Sequence, residues 1–524
     1  MPYQMTTDPF SHQGEWFERT KDSDSFGFFW EMGCGKTKPI LDTFGHLSWE
    51  GKATGCLVVA PNMVHRNWCV NEIPLHCPEL ASCYWSPQKA GTKRYEKECS
   101  HFLESKSRNQ VLAVSYESLT AKHWKAMANA FVKKHSGRLM MVCDESQYIK
   151  SPKAKRTKTI LKASGFAKYR RIATGTPVTQ GPFDIFTQLK FLRETFWKGY
   201  GLDTYYAFSH TFGEFERAFS RTHQFELLKE YRNLDTLKNI VDTISSRLTK
   251  EEVLDLPDKL YQWRTFEIKG KQAKLYQKAK NETEFWLNST DLVSIPIALT
   301  RMLKLQQILG GFIPVETPIV PCPDCEEDDL SADCDKCMGT GIHAEWNNKR
   351  KVVDIDEKNP RAELVADIIE ELPRHRQVIV WSRFTRMIDL LEEEFAKRAK
   401  DENAMFSSVR YDGTVGNSER EQALDEFVSG RARIFLGNPA AGGTGLTLVQ
   451  AKTVIYCDNS FHLSHRQQSE DRAHRIGQTS DVTYIDIAAI HNGEPTIDNH
   501  IAENLRLKRD VAAICTGDTL GEWI

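Results

Sequence analysis

The sequence predicts an α/β protein in which two parallel-sheet domains are joined through a helical insertion and a small zinc-binding insertion. Three observations carry that reading. Apolar runs alternate with helical stretches in both halves of the chain, the pattern of parallel sheets covered by helices. Clusters of chemically useful residues stand where those runs end, at the carboxyl edge where such sheets gather ligands. Between the halves lie two Cys-x2-Cys pairs, Cys322 to Cys337, with the spacing of a tetrahedral metal site.

Composition sets the outer limits. The 524 residues exceed one core, and the length suggests roughly two to four domains. Hydrophobic residues make up 40% and charged residues 27% of the chain, and no apolar run approaches a membrane span. The opening MPYQMTTDPF has no signal-peptide apolar region, so the chain is expected to stay in the cytoplasm where it is made. Nine of the 13 cysteines are scattered singly and four are clustered, which suits a reducing compartment. A net charge of −2 gives no overall attraction for nucleic acid, so such a partner must be held by local basic patches.

In the first half, FGFFWEMGCGKTKPILDT (Phe26 to Thr43) reads as a strand, a loop with Gly33 and Gly35, and a helix opened by Lys36-Thr37 and ending near Gly45. Backbone N–H groups and a helix N-terminus then face a phosphate, Lys36 reaches the β/γ-phosphates and Thr37 holds Mg²⁺. The strict pattern wants a glycine at position 30, where this chain has Trp30. Upstream, the amide of Gln13 can donate to and accept from an adenine edge at once. ATGCLVVAPNMVHRNWCVNEI gives a strand, a loop at Pro61-Asn62 and a helix, Val111 to Leu119 gives another strand, and RLMMVCDESQYI gives one ending in Asp144-Glu145. Adjacent carboxylates leaving a strand diverge, so one can hold Mg²⁺ while the other orients and deprotonates a water. A further strand, RIATGTPVTQ, ends in the Thr174 to Pro177 turn. KSPKAKRTK (Lys150 to Lys158), with Lys153, Lys155 and Arg156, carries five positive charges in nine residues and is a candidate DNA-backbone contact.

From Phe191 to about Leu309 the pattern turns helical and aromatic-rich. Cys322, Cys325, Cys334 and Cys337 follow as a closed four-thiolate Zn²⁺ set, structural in role, with His343 as a substitute ligand. A charged linker leads to the second half. There VIVWSRF places Ser382 and Arg383 in a loop after a strand, and further strands lie in SSVRYDGTV, ARIFLGNPAAGGTGLTL and AKTVIYCDNSF. In QQSEDRAHRIGQ, Arg472 and Arg475 fall on one helical face, as guanidinium groups aimed at a γ-phosphate across a cleft require. Ile497, Ile501 and Leu505 mark a core-packing brace helix. The expected division is therefore 1–195 for the first lobe, 196–310 for the helical insertion, 311–350 for the zinc insertion, 351–490 for the second lobe and 491–524 for the brace.

Taken in order, WEMGCGKT, VVAPNMVHRNW, DESQYIKSPKAKR, ATGTPVTQGPFDIFTQLKFL, VIVWSRF, NPAAGGTGLTLVQA and QSEDRAHRIGQ resemble motifs I, Ia, II, III, IV, V and VI of the Swi/Snf-like ATPases of helicase superfamily two. RLTKEEVLDLPDKL resembles the stretch that precedes the second lobe in that family. The resemblance covers nearly the whole chain and is to the compact bacterial or viral type. It implies two RecA-like lobes with ATP between them and double-stranded DNA running across both. It puts adenine on Gln13, phosphates on Gly33, Cys34, Gly35 and Lys36, Mg²⁺ on Thr37 and Asp144, and water activation on Glu145. It puts γ-phosphate sensing on Gln468, Arg472 and Arg475, and coupling on Gln147, Thr174, Gly175, Thr176, Gly443 and Gly445. Asn62, Ser382 and Arg383 become DNA contacts. The family's Asp-Glu-Ala-His is here Asp-Glu-Ser-Gln, so Gln147 must couple without a titratable imidazole. The expected protein is a monomeric, DNA-stimulated ATP hydrolase that translocates on double-stranded DNA and uses ATP, Mg²⁺ and Zn²⁺. Two other outputs stay open: separating or annealing strands on forked or single-stranded DNA, and nucleotide-gated binding of a partner without processive turnover.

Overall fold

The structure is a computed structural model and describes residues 3–62, 64–85, 92–105, 109–118, 122–179, 181–219, 224–288, 295–315, 320–321, 342–343, 351–399, 404–439, 446–460, 463–502 and 505. The expected zinc ligands Cys322, Cys325, Cys334 and Cys337, and the expected coupling residues Gly443 and Gly445, lie outside the described residues.

Helix α1 (Ser11–Thr20) precedes β1 (Ser25–Trp30), and α2 (Thr37–Trp49) follows it. Then come β2 (Gly55–Ala60), β3 (Ala81–Tyr84), β4 (Gln110–Ser115), β5 (Leu139–Asp144) and β6 (Tyr169–Ala173). The strands β7 (Gly213–Phe219) and β8 (Gln224–Tyr231) form a separate antiparallel hairpin. β9 (Ser245–Leu248) completes a parallel sheet of order β3-β4-β2-β5-β6-β1-β9. β2, β4 and β5 are buried along their whole length. That burial explains why these segments read as unbroken apolar runs, since helices cover both faces of a parallel sheet.

The second sheet begins with β10 (Lys259–Glu267). Two small antiparallel pairs come next, β11 (Phe312–Val315) with β14 (Lys351–Asp354), and β12 (Val320–Pro321) with β13 (Ile342–His343). The sheet then takes β15 (Gln377–Trp381), β16 (Ser408–Tyr411), β17 (Ile434–Gly437), β18 (Ala451–Tyr456) and β19 (Val482–His491) in the order β10-β19-β18-β15-β17-β16, all parallel. A short β20 (Glu494–Pro495) folds back on β19. Ile497, Ile501 and Leu505 are buried in the core of this sheet with Tyr276 and Leu309.

Three local expectations are corrected. α2 does not end near Gly45 but runs on to Trp49, because Gly45 keeps a helical backbone and serves close packing of the Tyr3 ring, while the left-handed glycine that ends the helix is Gly51 (φ 70°). The stretch 196–310 is not one helical insertion: β9 belongs to the first sheet, β10 to the second, and only the helices Gly270–Asn288 and Ile295–Leu309 match the expected pattern beyond them. The β7–β8 hairpin also breaks that pattern. Its strands bring Phe215 and Tyr231 against Phe183, ring centroids 6.1 and 5.3 Å apart, and that packing overrides the helical propensity of FERAF and FELLKEY.

Candidate active site

The loop after β1 is shaped by two left-handed glycines, Gly33 (φ 89°) and Gly35 (φ 73°), a conformation that a side chain would strain. Trp30 is compatible with it because its indole leaves on the core side, fully buried, and donates to Ser246 Oγ on β9 at 2.8 Å. Residues 31–36 then form the cradle. Lys36 curls over it, donating from Nζ to the carbonyls of Trp30 (2.9 Å) and Glu31 (3.0 Å), directly at the N-terminus of α2. Cation and helix terminus together favour an anion there.

Helix α1 clamps the loop from outside. Gln13 accepts from the Phe10 N–H and donates to the Gly35 carbonyl, both at 2.9 Å, while His12 Nε2 donates to the Cys34 carbonyl at 2.9 Å. A β-carbon on Gly35 would collide with the Gln13 amide. Gln13 thus spends one Nε2 hydrogen on the cradle and one Oε1 lone pair on the start of its own helix, and each amide atom retains a further bond for a base edge. Cys34 is fully buried and contributes backbone only, its thiol pushed up to about 11 by burial.

At the end of β5, Asp144 and Glu145 turn apart as expected. Glu145 takes a left-handed backbone (φ 54°, ψ 57°), rare for a side-chain-bearing residue and typical of strain held at functional sites. Asp144 accepts from Trp68 Nε1 (2.8 Å) and from the Glu145 N–H (3.0 Å). Burial, and then the neighbouring Glu145, push its carboxyl up to about 7. Both carboxylates are 9% exposed, and neither forms an ion pair among the described residues. A buried pair of acids with no ion pair among the described residues, near enough to Lys36 for its charge to act on Asp144, fits a divalent cation. Glu145 Oε2 accepts from Gln147 Nε2 (3.1 Å) and lies 3.3 Å from Thr174 Oγ1, which also donates to Gln147 Oε1 (2.6 Å) and accepts from the Thr176 N–H (3.0 Å). Gly175, between the two threonines, abuts the loop: a β-carbon there would stand 2.8 Å from Met32 Cγ and 3.0 Å from the Met32 nitrogen.

The second sheet supplies the opposite wall. The helix Leu463–Glu470 stops before the arginines, so Arg472 and Arg475 stand on the turns that follow it and not on one helical face. Arg475 Cβ comes within 3.8 Å of where a β-carbon on Gly33 would be, and its guanidinium donates to the Leu446 carbonyl at 3.2 Å. Burial lowers its basicity, opposed by Asp471 and then by Glu72 of the first lobe, which favour the charged form. Arg472 is 4% exposed. Burial brings it down to about 10, against Asp471 and Glu145, which favour the charged form. The turn bearing both arginines therefore lies against the loop, with the stem of Arg475 beside Gly33 and the buried charge of Arg472 favoured by Glu145. Gln468 is half-buried one turn earlier on the helix.

The expected DNA contacts divide. Asn62, Lys153 and Lys155 are exposed, and Arg156 lies over the Tyr148 ring at 5.5 Å. Ser382 is corrected: it is fully buried and its hydroxyl donates to Asp458 Oδ2 at 2.5 Å, so it shapes the loop after β15 and offers nothing to a phosphate. Arg383 donates to Gln306 Oε1 at 2.9 Å from a half-buried position. Sequence reading missed Trp68, Glu31, Lys250 and Asp471. Lys250 stood in RLTKEEVLDLPDKL, where a lysine among acids reads as solvated surface, yet it is 3% exposed.

A family model described as the SNF2-related domain matches residues 16–310, more than half of the chain. The chain belongs to the SNF2-related family. A second model, the helicase conserved C-terminal domain, matches residues 361–477 of this SNF2-related chain, from just before β15 through Arg475. Among curated relatives it is similar to the SWI/SNF-related matrix-associated actin-dependent regulator of chromatin subfamily A containing DEAD/H box 1 of Bos taurus, 25% identical over 93% of this chain and 47% of that protein. It is similar to the chromodomain-helicase-DNA-binding protein 1-like of Danio rerio, 25% identical over 91% of this chain and 41% of that protein. It is also similar to the ATP-dependent helicase fft1 of Schizosaccharomyces pombe, 24% identical over 91% of this chain and 49% of that protein. The SNF2-related chain spans about half the length of these relatives. Among solved structures it is similar to the Sulfolobus solfataricus SWI2/SNF2 ATPase core in complex with dsDNA, 21% identical with a TM-score of 0.41, covering 99% of this chain and 95% of that one. No helix among the described residues is long and apolar enough to cross a membrane.

Proposed function

We propose that this chain is a DNA-stimulated ATP hydrolase that translocates on double-stranded DNA. The observation that carries the reading is the approach of the Arg475 β-carbon to Gly33: a phosphate cradle on one lobe meets the arginine-bearing turn of the other, where Glu145 favours the charge of the buried Arg472. Gly33, Gly35 and Lys36 bind the phosphates, Thr37 and Asp144 hold Mg²⁺, and the α1 residue Gln13 meets the adenine. Mg²⁺ held there would neutralise phosphate charge. Glu145, fixed by Gln147, takes the proton of the attacking water. Arg472 and Arg475 stabilise the charge that spreads over the transferred phosphoryl group. Thr174 and Thr176 pass the state of Glu145 into the segment that leads to the hairpin, and opening and closing of the cleft becomes a step along DNA gripped by Lys153, Lys155 and Arg156. Lys36→Ala and Glu145→Gln should each abolish DNA-stimulated turnover, and wild-type turnover in either variant would overturn the assignment.

The β7–β8 hairpin favours a second output, strand separation. Its base rests on Phe183, five residues beyond Val178 in motif III, so it can move with the catalytic network. Parallel triplex-displacement and strand-displacement assays decide: strands displaced without triplex removal would replace translocation by unwinding. Zinc is the remaining part of the proposal. Cys322, Cys325, Cys334 and Cys337 supply four thiolates, and β12 and β13 pair across the ends of the segment that contains them. Changing Cys322 and Cys334 to Ser should remove bound zinc, and unchanged stoichiometric zinc would refute the ligand set.

A further inference from the structure

The chain passes from the first sheet to the second between β9 and β10, and that crossing is fastened at both ends to the turn bearing the two arginines. At its start, the Lys250 N–H donates to Glu31 Oε2 at 2.9 Å, and Glu31 is the first residue of the phosphate loop. Arg247 adds to the same anchor, donating to the Phe29 carbonyl at 2.7 Å with its other terminal nitrogen 3.7 Å from Glu31 Oε1. The Lys250 side chain leaves in the opposite direction. Its Nζ donates to Asp471 Oδ1 and to the His474 carbonyl, both at 2.5 Å, the two residues that bracket Arg472 and Ala473 just ahead of Arg475. On the way, Lys250 Cε passes 3.5 Å from the position of a β-carbon on Gly33. At the end of the crossing, His474 Nε2 donates to the Pro257 carbonyl (2.7 Å), Lys259 pairs with Glu470 (3.2 Å) and the Tyr261 hydroxyl donates to the same carboxylate (2.9 Å).

We propose that Lys250 is a positioning residue for hydrolysis: a single side chain that spans from the phosphate loop to the arginine-bearing turn and sets the reach of Arg472 and Arg475 toward the γ-phosphate. The inference rests on the nucleotide reading of the cleft. Lys250 makes no bond to the cradle through its ammonium, which is committed to Asp471 and His474. It therefore acts on the transition state through the arginines and leaves ground-state ATP binding to the loop. A buried Lys–Asp pair of this kind adds little to stability, because desolvation offsets most of its Coulomb attraction, and its geometry is what it contributes.

The test is made in the full chain with saturating ATP and double-stranded DNA. Lys250→Met should lower turnover at least about tenfold, equivalent to about 1.4 kcal/mol at the transition state, with the affinity for a fluorescent ATP analogue within about threefold of wild type. Asp471→Asn should do the same, and the double variant should be no slower than the worse single one, since both remove one connection. Unchanged turnover in Lys250→Met overturns the proposal, as does a loss of ATP affinity matching the loss of turnover, which would make Lys250 a phosphate ligand. Multiplying effects in the double variant overturn it too. Where Lys250→Met fails to fold, Asp471→Asn, nearly isosteric, is judged on the same two criteria. A wild-type chain that hydrolyses ATP no faster than Lys36→Ala would instead sink the nucleotide reading itself, a separate result.

Discussion

Gln147→Leu isolates the link between the water-activating acid and the rest of the first lobe. The side chain is 7% exposed and holds two partners at once: its Nε2 donates to Glu145 Oε2 at 3.1 Å, and its Oε1 accepts from Thr174 Oγ1 at 2.6 Å. Leucine keeps the approximate volume and removes both bonds. A hydrogen bond to a charged group is worth about 1.5–3 kcal/mol. If that energy fixes Glu145 in its strained left-handed pose, losing it should slow DNA-stimulated turnover about tenfold to hundredfold at about 1.4 kcal/mol per decade. ATP affinity should stay the same, because the hydrogen bonds of Gln147 go to Glu145 and Thr174 and not to the loop. Thr174→Val should act in the same direction, and the pair should show a coupling of about 0.5–3 kcal/mol in a double-mutant cycle. The assay is ATP turnover with and without double-stranded DNA. Equal losses of basal and stimulated rate would mean that the network holds Glu145 but transmits nothing. No loss at all would mean that the Glu145–Gln147 bond plays no part in hydrolysis, and either result refutes the coupling argument. Gln147→His offers an internal control: a neutral imidazole can donate to Glu145 and accept from Thr174, an imidazolium cannot accept, so this variant should lose more coupling than the wild type as pH falls below about 6.5.

Three further outcomes follow from the geometry. Gly175→Ala forces a β-carbon to within 3.0 Å of the Met32 backbone nitrogen, which cannot step aside as a side chain can, so ATP affinity measured by titration should fall at least about tenfold. Asp498→Ala leaves Arg361, 1% exposed and paired to Asp498 at 2.7 Å, as an uncompensated buried charge, and should cost the second lobe about 3–5 kcal/mol in urea unfolding. His135, 3% exposed between Thr54 and Gln110, is held neutral, burial pushing it down to about 4. Its unfolded form binds a proton near pH 6.5 and the folded form does not, so stability is full above that value and is lost as pH falls toward 4. Between pH 7 and 5 the loss should be about 2 kcal/mol, and it should vanish in His135→Gln.

Much of this site was legible because its chemistry is carried by short contiguous runs. The Gly33–Thr37 loop, the Asp144–Glu145 pair and the Thr174–Thr176 turn each follow an apolar strand, and strand ends are where a parallel sheet exposes functional groups. The residues that escaped notice act across long sequence separations. Trp68 reads as a core aromatic and is indeed 1% exposed, yet its one polar atom is spent on Asp144, 76 residues away. Lys250 meets Asp471 across 221 residues, and nothing in the local pattern marks either as a partner. The hairpin was missed for another reason. FERAF and FELLKEY fit helical and strand periodicity about equally, and the choice is made by Phe183, which neither segment contains. Ser382 failed in the opposite direction: a serine after a strand was a fair phosphate contact, but Asp458 at the end of β18 captures it.

The contacts that join the two lobes around the nucleotide site are of an unusual kind for a closed cleft. They are charged: Lys250 forms a buried ion pair with Asp471, while Glu72 and Glu145 favour the charges of Arg475 and Arg472 without pairing to them. Hydrophobic burial would have fixed the lobes in one arrangement, because apolar area contributes about 25 cal/mol per Å² with no opposing term. Buried ion pairs differ, since the cost of stripping water from each charge cancels most of the attraction gained. A cleft closed by such pairs has a small free-energy difference between its open and closed forms, and a ligand can move that balance only by its differential affinity for the two. A triphosphate supplies that difference directly, because its added negative charge gives Arg472 and Arg475 a partner that exists only when the cleft is closed. Replacing Asp471 or Glu72 with an apolar residue should therefore do more than weaken a contact. It should remove a negative charge that favours the charged arginines in the absence of nucleotide and leave the phosphates to supply it, making closure more dependent on ATP, the reverse of what loss of an ordinary interface contact would do.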